Sequence, residues 1–463
     1  MALCVPAGAT GPLPGPVRAA LLRHGIADTG VAVWVQALDA TSPHIAYNTG
    51  RAMNPASVMK LVTAFAAFET LGPAFNWTTR IEVEGDISAG QLHGNLYLVG
   101  GGDPLLSYER LWKLLHRVRA LGIERVRGDI VLDASIFDLP FHDPFAFDGK
   151  GLRPYNSGPY GALLHFNTLH LELMPGATKG DPVRIVPHPP LRGLTIRSAI
   201  ATDDGICGNW QHRLEASLKS HKPGVLLELS GRLSLACGPR SWSAAPMPPD
   251  RYSEALVTGL WQEMGGRVDG TVRSGTEPTR QTSLLIEESS PSLAEAVREM
   301  NKWSSNVIAT QVLATLGATD QNTRDVLTSG ANVVKERLLA SGIPAEDLII
   351  ENGSGLSRHE RISANCLGKL LMTAWQRPFM PEFVSSLPIA GLDGTARNRL
   401  SASPARGQAH IKTGTLEGVR AIAGYVLDRK GRRHALVMMV NDPAAASSLE
   451  AQEALLEWIW ADR

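Results

Sequence analysis

The chain has 463 residues, room for two or three domains of ordinary size. Lys and Arg number 45 and Asp and Glu 45, so the formal net charge is zero and the main electrostatic argument for a nucleic-acid-binding protein falls away. No apolar stretch reaches the ~20 residues of a membrane-spanning helix. The 44% of hydrophobic residues suits a chain that buries a core, and 45 Gly and 30 Pro point to a loop-rich fold with many strands.

The N-terminus, Met1-Ala2-Leu3-Cys4-Val5-Pro6-Ala7-Gly8-Ala9, lacks the basic start and apolar core of a signal peptide. It reads either as the stub of such a segment or as a disordered end. Val31 to Gln36 is β-branched and apolar and predicts a strand, with Ile45 to Asn48 as its hairpin partner. Val58 to Phe68 is apolar nearly all round and predicts a buried helix with Ser57 at its start. Strands are expected at 79–86, 94–100 and 126–133, with an amphipathic helix at 107–122. Short strands punctuated by Pro and Gly continue to about residue 242, and a helix runs from Arg251 to Met264. Helices return around 291–317. Three strands, His410–Thr415, Ala421–Leu427 and His434–Val440, precede a last helix, Leu449–Ile459.

Strands at both ends and a β-rich segment between them predict an α+β body interrupted by an insertion of roughly two hundred residues. None of Cys4, Cys207, Cys237 and Cys366 forms a C-x-x-C pair. Cys207 and Cys237 share a loop-rich region and are either a disulfide or two separate buried thiols. Cys366 reads as a core helix residue.

Ser57-Val58-Met59-Lys60 is the one S-x-x-K in the chain. At a helix start, residues three apart share a face, which puts the lysine amine beside the serine hydroxyl. A serine becomes a nucleophile when a neighbouring base takes its proton. A lysine serves as that base once burial or a second cation lowers its pKa. The ordinary alternative is a capping serine and a snorkelling lysine, and an isolated S-x-x-K favours it. Ser304-Ser305-Asn306 is an S-x-N triplet between two helical stretches. Its hydroxyl can relay a proton and its amide can hold a carbonyl. Ser363-Ala364-Asn365 fits the same pattern, and a helix cap is the commoner role for either. Lys412-Thr413-Gly414, followed by Thr415, lies on an expected strand. The glycine leaves room for a substrate against the strand, and the lysine and threonines offer donors to a carboxylate. A strand end with an exposed lysine is the plainer reading.

Each motif is cheap, but the order S-x-x-K, S-x-N, K-T-G is not, and together they form the site of penicillin-binding proteins and serine β-lactamases. The chain resembles the S13 peptidase family, the class C low-molecular-mass penicillin-binding proteins with D-Ala-D-Ala carboxypeptidase and endopeptidase activity. The likeness extends to Gly94–Pro104, Gly128–Asp133 with Phe137-Asp138, Asn352–Arg358 and Leu387–Thr395. It implies a β-lactamase/transpeptidase-like domain, an antiparallel sheet flanked by helices, at 1–78 and 284–463. An inserted domain is implied at 79–167 and 245–283, with a second nested in it at 168–244.

By the same resemblance Ser57 is the acylated nucleophile, Lys60 its base, Ser304 the relay and Asn306 the substrate clamp. Lys412, Thr413, Gly414 and Thr415 bind the substrate carboxylate end, and the N–H groups of Ser57 and Thr415 form the oxyanion hole. No metal or cofactor is implied. The partners are muropeptides ending in D-Ala-D-Ala and β-lactams as covalent inhibitors, in the periplasm or outside the cell. Ser305 departs from the Asp of many relatives, with little effect expected. A β-lactamase is the nearest rival, disfavoured by the insertion and by a 352–358 loop without an evident catalytic Glu. An idle wall-binding scaffold is the rival of another class. Neither G-x-S-x-G nor H-E-x-x-H occurs, and His359-Glu360 is a pair without a second histidine at metal spacing.

Overall fold

The computed structural model describes residues 12–221, 224–276, 282–319 and 325–462; the N-terminal segment with Cys4 lies outside them. The chain forms two compact units, Met1–Asn76 with Pro291–Arg463, and Trp77–Ser290.

The first unit is built on a five-stranded antiparallel sheet. β1 (Val31–Ala37) and β2 (Ile45–Tyr47) come from the start of the chain. β3 (Ala409–Leu416), β4 (Val419–Leu427) and β5 (Arg433–Asn441) come from its end. The order is β2-β1-β5-β4-β3, so the two ends of the sequence meet at the β1–β5 pairing, with Val33 opposite Met438. β1 is buried at every position because both faces of the sheet are covered. On one face Val31, Val33, Val35, Leu436 and Met438 share a core with α1 (Gly15–Arg23) and the C-terminal helix Leu449–Trp460. On the other lie α2 (Met59–Leu71) and a helix at Ala364–Trp375. There the Tyr425 hydroxyl donates to the Leu371 carbonyl at 2.8 Å, and a Cβ on Gly368 would sit 2.3 Å from the Trp34 ring. α2 is buried at every residue from Met59 to Phe68, which is why its sequence is apolar all round. α3 (Leu293–Lys302) opens on a Ser292/Glu295 capping box, and α4 (Asn306–Ala318) follows after a three-residue break.

The second unit holds a mixed five-stranded sheet in the order 272–275, 130–133, 96–99, 78–83, 283–289. The strand expected over 126–133 is two short ones, Arg125–Val126 and Ile130–Asp133, in different sheets. The segment Ser283–Ser289 pairs with Thr78–Val83 in this unit, so the chain leaves it after Ser290 rather than at 283. Residues 168–244 form two three-stranded sheets. Their buried side chains, Leu169, Leu171 and Leu227 among them, join the same core as Ile81 and Leu98. Cys207 and Cys237 are joined as a disulfide, which decides between the two readings of the sequence. Cys366 is free and buried on the Ala364–Trp375 helix, as expected.

Candidate active site

The site is assembled from separate segments of the first unit. Ser57 sits in a 3₁₀ turn, Ala56–Val58, that leads directly into α2. The turn is locked from below by Asn54. Its Oδ1 accepts from the Ala56 N–H and its Nδ2 donates to the Ser357 carbonyl, both at 2.8 Å, and its backbone is bonded twice to the Asn441 side chain. The turn is also squeezed between two glycines. A Cβ on Gly355 would meet Ala56 O at 1.9 Å, and one on Gly414 would meet Pro55 O at 2.5 Å. Gly414 therefore does something other than leave a groove for substrate: it lets β3 press against the backbone that carries Ser57. Ala56 takes a positive φ of 46°, a costly conformation for a residue with a Cβ and one that surrounding contacts must impose.

Lys60, the second residue of α2 and one turn beyond Ser57, has no accessible surface. Its Nζ reaches Ser57 Oγ at 3.1 Å, Asn306 Oδ1 at 2.7 Å and the Ser354 carbonyl at 2.5 Å. Burial, then the nearby Lys412 charge, hold its pKa well below the lysine range, while Glu360 acts in the opposite sense. An ammonium has three protons and no lone pair; a neutral amine has two protons and one lone pair. Neutral Lys60 can thus keep its bonds to Asn306 and Ser354 and accept the proton of Ser57.

Ser304 and Asn306 come from the break between α3 and α4. Ser304 adopts φ 59°, and Ser305 caps α4, its Oγ accepting from the Ile308 N–H. Asp is an equally good cap at that position, so Ser305 is a mild departure. The bond to Ser304 comes from Lys412: its Nζ donates to Ser304 Oγ at 2.9 Å and to Thr413 O at 2.8 Å. The hydroxyl read from the sequence as a proton relay thus takes its hydrogen bond from Lys412. Lys412, also without accessible surface, is pulled down to about 7 by burial. Thr413 Oγ1 lies 2.9 Å from Thr395 Oγ1, and Thr415 is exposed on the same strand. Thr395 ends a loop fastened by the Lys302–Asp393 ion pair at 2.5 Å. Ser363 is only a helix cap, its Oγ accepting from the Cys366 N–H.

Three participants escaped the sequence. The Ser354 carbonyl is a backbone group and leaves no side-chain signal. Thr395 becomes meaningful only beside Thr413. Glu360, set aside with His359 for want of a metal-spaced histidine, is fully buried and accepts from the N–H groups of Glu351, Asn352 and Gly353.

The model of the D-Ala-D-Ala carboxypeptidase 3 (S13) family matches residues 17–461. The chain belongs to this family. It is 28% identical over 405 residues to the D-alanyl-D-alanine carboxypeptidase DacB of Haemophilus influenzae, covering 85% of this chain and 82% of that one. Identity to the D-alanyl-D-alanine carboxypeptidase of Actinomadura sp. strain R39 is also 28%, over 88% of this chain and 76% of the relative. The crystal structure of penicillin binding protein 4 from H. influenzae superposes with a TM-score of 0.79 at 26% identity, covering 96% of this chain and 99% of that one. A second structure of that protein, complexed with a β-lactam, gives 0.76 at 24%. The fold is accordingly the β-lactamase/transpeptidase-like α+β architecture of an S13 serine peptidase with an insertion.

Proposed function

We propose that this S13 enzyme cleaves D-Ala-D-Ala ends and D,D-cross-links of peptidoglycan peptides through an acyl-enzyme on Ser57. The observation that carries the reading is the Lys60 Nζ to Ser57 Oγ bond of 3.1 Å, made by a lysine with no access to water. Burial, and then the charge of Lys412, push this lysine toward the neutral amine that proton abstraction from a serine requires.

Lys412, Thr413 and Thr415 bind the terminal carboxylate, and Asn306 holds the peptide. Ser57 Oγ attacks the carbonyl carbon of the penultimate D-Ala while its proton passes to Lys60. The N–H groups of Ser57 and Thr415 receive the negative charge that develops on the carbonyl oxygen. When the C–N bond breaks, Ser304 gives its proton to the departing amine and regains one from the lysine pair. Water then attacks the ester, the acid product leaves and Ser57 is regenerated. A β-lactam enters the same first step, and because its amine remains tethered after ring opening, the ester persists. The Cys207–Cys237 disulfide favours an oxidising location, the periplasm or the exterior. Among the described residues no helix is long and apolar enough to cross a membrane.

Labelled penicillin on the wild type and on Ser57→Ala, with D-alanine release from a muropeptide run alongside, tests this. The expected result is one covalent adduct per wild-type chain, none on the variant, and D-alanine release from the wild type alone. Rapid drug hydrolysis would mark a β-lactamase instead, and no reaction with drug or peptide would mark a scaffold.

A further inference from the structure

The chemistry above leaves Glu360 without a task. Its carboxylate is fully buried, with Oε1 accepting from the N–H groups of Glu351 at 3.0 Å, Asn352 at 3.0 Å and Gly353 at 3.2 Å. Among the described residues Oε2 has no hydrogen-bond partner. Burying a carboxylate with one oxygen bare is costly unless an opposite charge compensates. The other charged groups of its own loop are turned elsewhere. Glu351 accepts from Ser357 Oγ and pairs with His359 at 2.9 Å; Arg358 bonds the Glu417 carbonyl, and Arg361 bonds the carbonyls of Arg358 and Glu360. Burial raises the Glu360 pKa, while the three N–H groups, and then Lys60 across the packing interface on α2, favour the carboxylate; beyond Lys60, β3 presents Lys412.

The turn that Glu360 ties down is also the one that reaches the base. Gly353 O accepts from Thr63 Oγ1 at 2.6 Å, and Ser354 O accepts from Lys60 Nζ at 2.5 Å. A continuous path therefore runs from the carboxylate through three backbone amides to the amine.

We propose that Glu360 is a positioning residue for Lys60: it clamps the Glu351–Ser354 turn so that the Ser354 carbonyl grips the amine, and its negative charge opposes that of Lys412 there. The inference rests on the reading of Lys60 as the base for Ser57. Its chemical sense is a balance. Burial and Lys412 together would make Lys60 a weak proton acceptor, and a buried anion restores part of its basicity.

The two roles separate by substitution. Glu360→Gln keeps an acceptor for the three N–H groups and removes the charge; Glu360→Ala removes both. A nearby anion favours the ammonium form, so its loss lets Lys60 become neutral at lower pH. The acid limb of the acylation rate then moves down in pH in Glu360→Gln. There the variant outpaces the wild type by about tenfold per unit of displacement, with the plateau kept within about twofold. Glu360→Ala loosens the turn and lowers the plateau by about 100-fold. A merely structural role would not move the limb in the Gln variant.

The measurement is the second-order rate of acylation by a fluorescent penicillin across pH for the three full-length proteins. Intact mass fixes the Ser57 adduct and a thermal melt establishes folding. If the Ala variant does not fold, the Gln comparison decides alone. A limb that stays in place, moves up in pH, or is accompanied by a Gln plateau as low as that of Ala overturns the inference. Absence of any wild-type adduct would overturn the reading beneath it, whereas a normal adduct with an unmoved profile rejects the Glu360 role alone.

Discussion

Two buried lysines each bond a serine, Lys60 to Ser57 and Lys412 to Ser304, and the tasks proposed for them demand opposite protonation states. Lys60 must be neutral to take the Ser57 proton, whereas Lys412 must be charged to hold a carboxylate. Burial lowers both, Lys412 to about 7 and Lys60 well below the lysine range, where Lys412 adds to the effect. The sign for catalysis follows. The charge on Lys412 in the free enzyme is lost as pH rises through about 7, so kcat/KM for a peptide with a free C-terminal carboxylate falls on that side. An acyl donor without the carboxylate loses no such clamp and keeps its rate. The pH profiles of the two substrates, measured side by side, check this, and parallel falling limbs would remove Lys412 from carboxylate binding. Lys412→Met should cost about 100-fold in kcat/KM for the carboxylate substrate, the scale of one lost charge-assisted bond. The lysines and the serine were legible because motif spacing places side chains. The Ser354 carbonyl was not, because a backbone acceptor is the same in every residue, and Glu360 was not, because only burial gives it meaning.

At the scale of elements, the nucleophile depends on how closely β3 and the Gly353–Gly355 loop approach the turn before α2. Gly414 and Gly355 face the backbone of residues 55–57 from two sides. For Gly414→Ala, a Cβ 2.5 Å from Pro55 O cannot be relieved by rotating a flexible side chain, since both partners are main chain. The strand or the turn must move, and a displacement of that order cuts acylation by about 100-fold. The variant should melt lower but still fold, because β3 keeps its full pairing with β4. Stopped-flow acylation with a melting curve checks this, and an unchanged rate would show that the contact is not needed. The K-T-G glycine was thus legible as a requirement, while its reason was not: sequence shows a missing side chain but not what comes close to it. Of the helices, α2 was legible from its continuous apolar character, whereas α1 and the helix at Val326–Ala340 were not foreseen. The break between α3 and α4 was also foreseen, although Ser305 as the cap of α4 needed the structure.

For the whole molecule, a sheet closed by the two ends of the chain was legible from the β1 sequence and the three C-terminal strands. The limits of the insertion were harder. Ser283–Ser289 is a strand that belongs to the segment starting at Thr78, and a pairing between residues so distant in sequence carries no local mark. The chain leaves the first unit after Asn76 and returns to it at Pro291. On the side of the first unit, Leu293 N–H donates to Phe75 O at 2.7 Å and Ala294 N–H to Pro73 O at 3.0 Å. The chain therefore leaves and re-enters that unit side by side, and a short Gly/Ser linker can join Asn76 to Pro291 without strain on either end. Every residue assigned here to acylation, from Ser57 and Lys60 through Ser304, Asn306 and Glu360 to Thr415, lies in that unit, and both cores are formed within their own units. Replacing Trp77–Ser290 by such a linker also shortens a loop whose closure costs only slowly more with length, so stability changes little on that account. The shortened protein is expected to unfold cooperatively and to acylate Ser57 with penicillin within about an order of magnitude of the full chain. Intact mass with labelled penicillin and a melting curve decide it. A folded protein that takes no label would mean that the insertion shapes the acylation site itself, and a protein that does not fold would mean that the first unit depends on the second for its core.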